Sequence, residues 1–394
     1  MIPGRAVFSL GLSQLISWGV SYYLIGAFGG LIVDDLGWSQ EAVYGGFSAA
    51  LLVMGLSSSL IGGLIDRHGG RTVMSVGAVL NASGCIALAL AHDMATYYAG
   101  WLLLGLGMRL TLYDAAFAAL ARIGGPEARR PMAQITLLGG LASTVFWPIG
   151  SFLAASLGWR GALVVYAGLA LLAAPLHLPL PTTRHGGVRA DTAAPISRPL
   201  APGGRKRIMA AGLYAVIVTL TSFLNSGMSA HMIAILAGLG LGLSTAVSTA
   251  TLRGVGQSCA RLCEVLFGRR VHPLTLNLAA TAVLPLSFVA GLLAAQFWPM
   301  AAMFTLSYGA GNGLVTITRG TLPLVLFDHR TYGRFVGRLV APSFLLSAAA
   351  PLAYAMVITR FGEAGALVLS AVTAALTALA ALALTMLCRS SGRD

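Results

Sequence analysis

Two arginines lie inside long apolar segments of the sequence. Arg109 falls near the middle of a predicted helix from about Thr96 to Ala121, and Arg253 lies about ten residues into another predicted helix. An ionisable group at mid-membrane depth costs roughly 2.5 to 3.5 kcal/mol on insertion scales. A guanidinium offers planar, bidentate donors that suit carboxylate, phosphate or another oxyanion. The pair therefore predicts a binding site for an anion, unless each arginine pairs with an acidic residue or with helix carbonyls.

Two acidic residues and a tyrosine accompany these arginines. Asp114 follows Arg109 by five residues, which is about 140° around an ideal helix, so we expect the two on different faces. Tyr113, at i+4, shares the Arg109 face and is expected to join the site. Asp114 and Glu264 lie nearer the inner ends of their helices. Each is expected either to bind a proton or to latch onto an inner arginine such as Arg71, Arg261 or Arg338.

Polar and aromatic stripes mark further candidate substrate-binding residues. They are Gln14, Trp18 and Tyr22 at intervals of four in the first helix, Ser222, Asn225 and Ser229 in the seventh, and Asn312 between two glycines in the tenth. Such stripes line a cavity or form a packing seam. His231 suits proton coupling because imidazole titrates near neutral pH. It also lies toward the outer end of its helix, where a water-exposed, uninvolved histidine is more usual.

The cysteines offer one alternative chemistry. Cys259 and Cys263 are one helical turn apart and are candidate thiols for a metalloid such as trivalent arsenic, although cysteine is also a common apolar filler. The four cysteines suggest neither a disulfide framework nor a zinc site. No nucleotide-binding loop, metalloprotease motif or catalytic serine elbow is present, so we predict no cofactor and no enzymatic activity.

Composition places the chain in a membrane. Of the 394 residues 57% are hydrophobic and only 9% are charged, which excludes an ordinary soluble domain. The formal net charge is +13, but the basic residues are scattered between apolar spans and form no single patch. They therefore indicate membrane orientation and anionic lipid, not nucleic acid.

Twelve apolar segments, each near the roughly 20 residues that a crossing needs, predict an all-α integral membrane protein in two pseudo-symmetric six-helix bundles. We expect one bundle at residues 1–179, a basic cytoplasmic linker at 180–207 and the second bundle at 208–394. Arginines concentrate in the loops on the linker side, and the opposite loops are mostly acidic. By the positive-inside rule both termini are then cytoplasmic.

One polar turn carries a family resemblance. Residues 62–71 read Gly-Gly-Leu-Ile-Asp-Arg-His-Gly-Gly-Arg and resemble the loop between the second and third helices of major facilitator superfamily carriers. The position before Arg71, usually basic in that family, is Gly70 here. Asp66 is a candidate latch, because a carboxylate at a helix C-terminus needs a cationic partner. A degenerate copy of the turn around Glu264 supports two related halves.

The resemblance implies a secondary carrier that works by alternating access. We expect a multi-pass protein of the bacterial inner membrane, monomeric, that moves a small anionic solute with proton coupling or by antiport. Efflux of arsenite or of apolar drugs is the alternative within transport. From other classes, a membrane-embedded sensor and an intramembrane enzyme built on His231 and Asp114 remain open.

Overall fold

The computed structural model describes residues 2–124, 128–182, 200–201, 204–267, 271–295, 297–327 and 332–389. These residues form helices joined by short turns, and no strand occurs among them. Most of the predicted linker, residues 183–199 and 202–203, lies outside the described residues. The side chains of Asp66 and Arg338 also lie outside them, so the latch expected of Asp66 stays a prediction.

The first half of the chain contains eight α-helices and a π-helical turn among the described residues. The turn, Trp18–Tyr22, separates α1 from α2. The helices are α1 (Gly4–Ser17), α2 (Leu24–Leu36), α3 (Gln40–Leu56), α4 (Ser58–Ala89), α5 (Met94–Thr111), α6 (Tyr113–Gly124), α7 (Arg129–Gly140) and α8 (Ala142–Ala173).

The second half contains longer, less interrupted helices. In the described residues they are α9 (Gly204–Gly238), α10 (Leu243–Phe267), α11 (Pro273–Leu292), α12 (Pro299–Leu326) and α13 (Tyr332–Arg389). The predicted all-helical membrane fold is thus confirmed.

Three of these helices each belong to two crossings. α4, α8 and α13 change direction at Gly69, Gly158 and Gly362, which have φ of 80°, 70° and 67°. Seven stretches of the described chain are long and apolar enough to span a membrane, and three of them contain such a glycine. When the three helices are divided there, twelve crossings result if four sets are each counted as one crossing: α1 with α2, α3 with the first part of α4, α5 with α6, and α7 with the first part of α8.

Local hydrogen bonds fix helix ends at the surface opposite the linker. The Ser39 hydroxyl accepts from the Ala42 N–H (3.2 Å) to begin α3. The Asp93 carboxylate accepts from the Thr96 N–H (2.9 Å) and hydroxyl (2.8 Å) to begin α5. These bonds hold the pKa of the Asp93 carboxyl below its usual value.

Breaks interrupt four of the crossings in the first half. Besides the π-helical turn, the second crossing is interrupted at Ser57, the fourth at Leu112 and the fifth at Leu141. Leu112 has an extended conformation, with φ −76° and ψ −175°. Discontinuous helices of this kind often border the ligand site in transporters.

The two halves touch closely on the side opposite the linker. A Cβ placed on Gly26 would lie 2.5 Å from the carbonyl oxygen of Ser229, so only glycine permits this approach of α2 to α9. Nearby, the Tyr22 hydroxyl lies 3.0 Å from the Ser226 hydroxyl. These contacts close that side of the molecule.

His231 takes part in the same closure, and the expectation of a water-exposed side chain is wrong. It is fully buried, with its ring stacked on that of Tyr44 from α3 at 3.9 Å between centroids. Its Nε2 lies 2.8 Å from the Pro351 carbonyl oxygen. The burial arises from packing between the two halves, which the position of His231 within α9 does not reveal.

Arg71 has a structural partner that differs from the acidic residues expected. Its Nε and one terminal nitrogen donate to the Leu180 carbonyl oxygen, at 3.1 and 2.7 Å. The expected Arg71 latch to Asp114 is therefore absent among these contacts. Arg71 instead holds the segment that follows α8, where the connection between the halves begins.

Candidate functional site

A cavity of about 570 Å³ lies between the two halves, on the linker side of the contacts made by Gly26 and His231. Its walls come from the first, second and fourth crossings of the first half and from α9, α10, α12 and α13 of the second. A volume of this size is typical of small-molecule sites. The cavity is therefore the candidate ligand site, and the predicted site residues are expected to line it.

The wall from the first half is apolar and aromatic apart from Ser58 and one ion pair. Its other members are Trp18, Tyr22, Tyr23, Leu51, Met54, Met108, Leu112, Tyr113 and Phe117. Their rings contact one another: Trp18 lies 5.0 Å from Tyr113 between centroids, and Tyr113 stacks on Phe117 at 5.6 Å. The predicted residues Trp18, Tyr22 and Tyr113 thus share one surface.

The wall from the second half is polar. Except for Val315, Gly320 and Phe344, every residue in it carries a polar side chain: Tyr214, Thr221, Ser222, Asn225, Gln257, Arg261, Asn312, Thr316, Arg319, Ser343 and Ser347. The predicted residues Ser222, Asn225 and Asn312 belong to it. The two walls therefore differ in chemistry.

Arg253 lies directly behind the polar wall and is completely buried. One terminal nitrogen donates to Asn225 Oδ1 (2.8 Å) and to the Ser229 hydroxyl (2.9 Å). Its Nε and other terminal nitrogen have no hydrogen-bond partner. The ion pairs found among the described residues do not include it, so no carboxylate there neutralises its charge.

Aromatic rings give Arg253 partial compensation. The guanidinium carbon lies 5.3 Å from the ring centroid of Tyr308, 5.7 Å from that of Tyr23 and 6.0 Å from that of Trp147. Such contacts contribute about 0.5 to 2 kcal/mol each. They leave a buried cation with two unsatisfied donors, which is a costly arrangement unless a ligand completes it.

Asn225 connects Arg253 to the cavity. Its Oδ1 accepts from Arg253 and also from Asn312 Nδ2 (3.0 Å), and its Nδ2 donates to the Tyr22 hydroxyl (3.2 Å). The network joins α9, α10 and α12 to the first crossing. It places the positive charge of Arg253 one side chain away from the cavity.

Sequence reasoning missed part of the polar wall. Gln257 and Arg319 are not among the predicted site residues, and Arg261 is predicted only as a latch partner, yet all three line the cavity. Arg261 is buried and donates to the Thr136 carbonyl oxygen (2.6 Å). The available signal was the interval of four that puts Arg253, Gln257 and Arg261 on one face of α10.

Arg109 and Asp114 form an ion pair, so the expectation that they lie on different faces is wrong. One Arg109 terminal nitrogen lies 2.6 Å from Asp114 Oδ2, and the Asp114 side chain is about half exposed. The helix breaks at Leu112 between them, so the ideal angle per residue does not apply. Arg109 also donates to the Ser58 carbonyl oxygen (3.3 Å). Of the two predicted anion-binding arginines, Arg109 is neutralised.

Other predicted residues lie outside the cavity wall. Gln14 is buried and donates to the Thr111 carbonyl oxygen (2.7 Å). Glu264 does not line the cavity, nor do Cys259 and Cys263, whose side chains are exposed on the surface of α10. A metalloid in the cavity would not meet these two thiols.

The cavity is electropositive as a result. Three arginines line it, Arg109, Arg261 and Arg319, against one carboxylate, that of Asp114, and Arg253 adds a further charge behind the wall. Poor access to bulk water strengthens such fields. The arrangement can bind an anion on the side of the second half.

Comparison with known proteins gives a family and several relatives. The sequence model of the Major Facilitator Superfamily matches residues 10–337. Monocarboxylate transporter 11 of Mus musculus is 27% identical over 78% of this chain, and the match spans 63% of that transporter. Multidrug resistance protein MdtL of Klebsiella pneumoniae (strain 342) is 25% identical over 85% of this chain and 79% of that protein.

Solved structures share the fold. A bacterial homologue of the human lysosomal transporter Spinster, in an inward-facing and unoccupied conformation, superposes with a TM-score of 0.70 at 14% identity, over 99% of this chain and 98% of that one. The human organic anion transporter MFSD10 gives a TM-score of 0.66 at 18% identity, over 96% and 100%. At these identities the likeness concerns the fold alone.

Proposed function

Because this chain belongs to the major facilitator superfamily, whose members are membrane transporters and not enzymes, we propose that it is a secondary carrier of an anion. Binding takes place in the cavity between the halves, and alternating exposure of that cavity moves the ligand across the membrane. The carrier resides in the bacterial inner membrane as a monomer with both termini cytoplasmic. In that orientation the cavity faces the cytoplasm.

Arg253 is the observation that carries the proposal. A fully buried guanidinium with two unpartnered donors and no carboxylate partner is expensive in the empty protein. An anion in the cavity would supply a compensating negative charge one side chain away from Arg253. Cationic ligands would be repelled by the same field.

Coupling to protons is proposed for Asp114. It is the one carboxylate among the described residues that line the cavity, and its side chain is about half exposed. Protonation of Asp114 would release Arg109 from the ion pair and change the charge of the cavity by one unit. Antiport of a second anion through the same site is the other form of coupling.

Metalloid efflux receives no support from the geometry. Cys259 and Cys263 face away from the cavity wall. Efflux of apolar drugs is compatible with the aromatic wall but leaves the arginines of α10 without a role.

The test combines ligand binding with transport. Purified protein in detergent is screened by thermal shift against carboxylates, phosphate, arsenite and cationic drugs, since a ligand of the folded state raises apparent stability. Hits are then assayed for uptake in proteoliposomes. We expect stabilisation by an anion and its loss in Arg253→Gln, with normal behaviour of the surface control Arg360→Gln. Stabilisation only by cationic drugs, or unchanged anion uptake by Arg253→Gln, would contradict the proposal.

A further inference from the structure

The two walls of the cavity differ in chemistry, and from this we infer that the ligand is an amphipathic organic anion. It is charged at one end and has an aromatic or branched apolar body. The charged end lies against the second half and the body against the first. This inference rests on the proposed function and narrows its substrate class.

The wall of the first half offers an apolar ligand a continuous surface. Trp18 contacts Tyr22 at 4.8 Å and Tyr113 at 5.0 Å between ring centroids, and Tyr113 stacks on Phe117 with an interplanar angle of 11°. Met54 lies in the same wall. Removing apolar surface from water is favourable by about 25 cal/mol per Å². An apolar body placed against this wall therefore contributes favourably to the binding free energy.

The first half contributes no net charge to the cavity. Among the described residues its only charged side chains there are Arg109 and Asp114, which pair with each other at 2.6 Å. An anionic group on this side would compete with Asp114 for a cation already engaged. The charged end of the ligand is therefore directed to the opposite wall.

The second half holds the uncompensated cations. Arg253 and Arg261 are both at least 99% buried, both retain an Nε without a partner, and neither forms an ion pair with a described residue. Asn225 and Asn312 supply amide groups beside them. A carboxylate seated here meets donors from three helices.

The size of the cavity excludes a bare inorganic ion as a good fit. At about 570 Å³ the cavity falls within the range that accommodates drug-sized ligands. Phosphate or acetate would occupy only the polar side and leave the aromatic wall in contact with water. A dicarboxylate would bring a second charge and still leave that wall uncovered.

Binding of five probes to the full-length protein in detergent tests the inference by calorimetry. The probes are phenylacetate, 4-methylpentanoate, acetate, succinate and phenylacetamide. We expect phenylacetate and 4-methylpentanoate to bind at least about tenfold tighter than acetate or succinate, because of the buried apolar carbons. Phenylacetamide, which has the shape of phenylacetate without its charge, should bind at least about tenfold more weakly than phenylacetate.

Variants in each wall separate the two contributions. Phe117→Ser and Met54→Ser should reduce the preference for phenylacetate over acetate, whereas Arg253→Gln should weaken both anions and preserve their ratio. Phe152→Ser changes an aromatic side chain that is 70% exposed on the outer surface and serves as the matched control. Melting temperatures establish whether each variant is folded. If one of the two variants of the aromatic wall is unfolded, the other alone is enough for the test.

The outcomes distinguish a failure of this inference from a failure of the proposed function on which it rests. If acetate or succinate binds as tightly as phenylacetate and loses binding in Arg253→Gln, anion transport stands and the amphipathic ligand is refuted. An unchanged preference in both Phe117→Ser and Met54→Ser also refutes it. If phenylacetamide binds as tightly as phenylacetate, or no anion binds, the proposed function fails as well.

Discussion

Replacing Arg253 by methionine should leave the empty protein as stable as before and remove its affinity for anions. Methionine keeps a long, unbranched side chain and deletes the charge. Both acceptors of Arg253 keep other partners: Asn225 Oδ1 still accepts from Asn312, and the Ser229 hydroxyl still donates to the Asn225 carbonyl oxygen (2.6 Å). No buried polar atom of these two residues is therefore orphaned by the change.

The magnitudes nearly cancel in the absence of ligand. The change removes two hydrogen bonds from a charged donor, about 1.5 to 3 kcal/mol each, and three cation–π contacts, about 0.5 to 2 kcal/mol each. It also removes two unsatisfied donors, about 1 to 3 kcal/mol each. The insertion cost of a mid-membrane charge, roughly 2.5 to 3.5 kcal/mol, is also relieved. We expect an unchanged or higher melting temperature without ligand.

Ligand binding should respond in the opposite way. Deleting one member of a buried, hydrogen-bonded charge pair costs about 2 to 5 kcal/mol of binding, which is about 30-fold or more in Kd. Differential scanning fluorimetry without and with the anion identified by the screen measures both effects on one sample. Arg253→Lys, which keeps the charge without the planar fork, should retain part of the affinity.

One result would refute this reasoning. If Arg253→Met melts well below the parent protein without ligand and binds the anion with unchanged Kd, Arg253 is a structural residue. The surface variant Arg360→Met controls for the loss of a positive charge as such. It should change neither quantity.

Three further predictions concern other residues. Asp114→Asn, which breaks the ion pair with Arg109, should abolish accumulation driven by a proton gradient and spare exchange of labelled substrate in proteoliposomes; retention of proton-driven accumulation would exclude Asp114 as the proton site. Gly26→Leu should prevent closure on the side opposite the linker, because its side chain would collide with the backbone of α9; cysteine accessibility on that side should rise, and an unchanged pattern would contradict the contact. Cys259→Ala and Cys263→Ala, alone or together, should transport at the parental rate, and loss of uptake would reopen a thiol site.

The fold was largely predictable because hydropathy reports directly on crossing a bilayer. Twelve apolar segments and the polar turn at residues 62–71 predicted the architecture, and the family match confirmed it. The division at 180–207 stays a prediction, since most of that segment lies outside the described residues. What sequence reports less well is where a crossing stops being helical.

Leu112 illustrates that difficulty. Neither glycine nor proline occupies this position, so no residue type marks the break between α5 and α6. In an ideal helix the side chains of Arg109 and Asp114 would lie on different faces. Because the helix is interrupted between them, they form an ion pair. His231 is a second case, because its burial against Tyr44 depends on packing between residues far apart in the chain. By contrast, the interval of four that links Arg253, Gln257 and Arg261 was readable and marks the polar wall.

The opposed walls of the cavity also bear on leakage. A ligand shifts the equilibrium between conformations only by the difference in its affinity for them. Chloride or another small ion can bind to the cations of the second half without touching the aromatic surface of the first. Its affinity then differs little between the open and closed conformations, so it does not favour closure of the halves. A ligand that contacts both walls binds the closed conformation more tightly and therefore favours closure. Because recognition is divided between the two halves, the proposed carrier would not change conformation in the presence of small anions alone. It would transport only a ligand that contacts both walls.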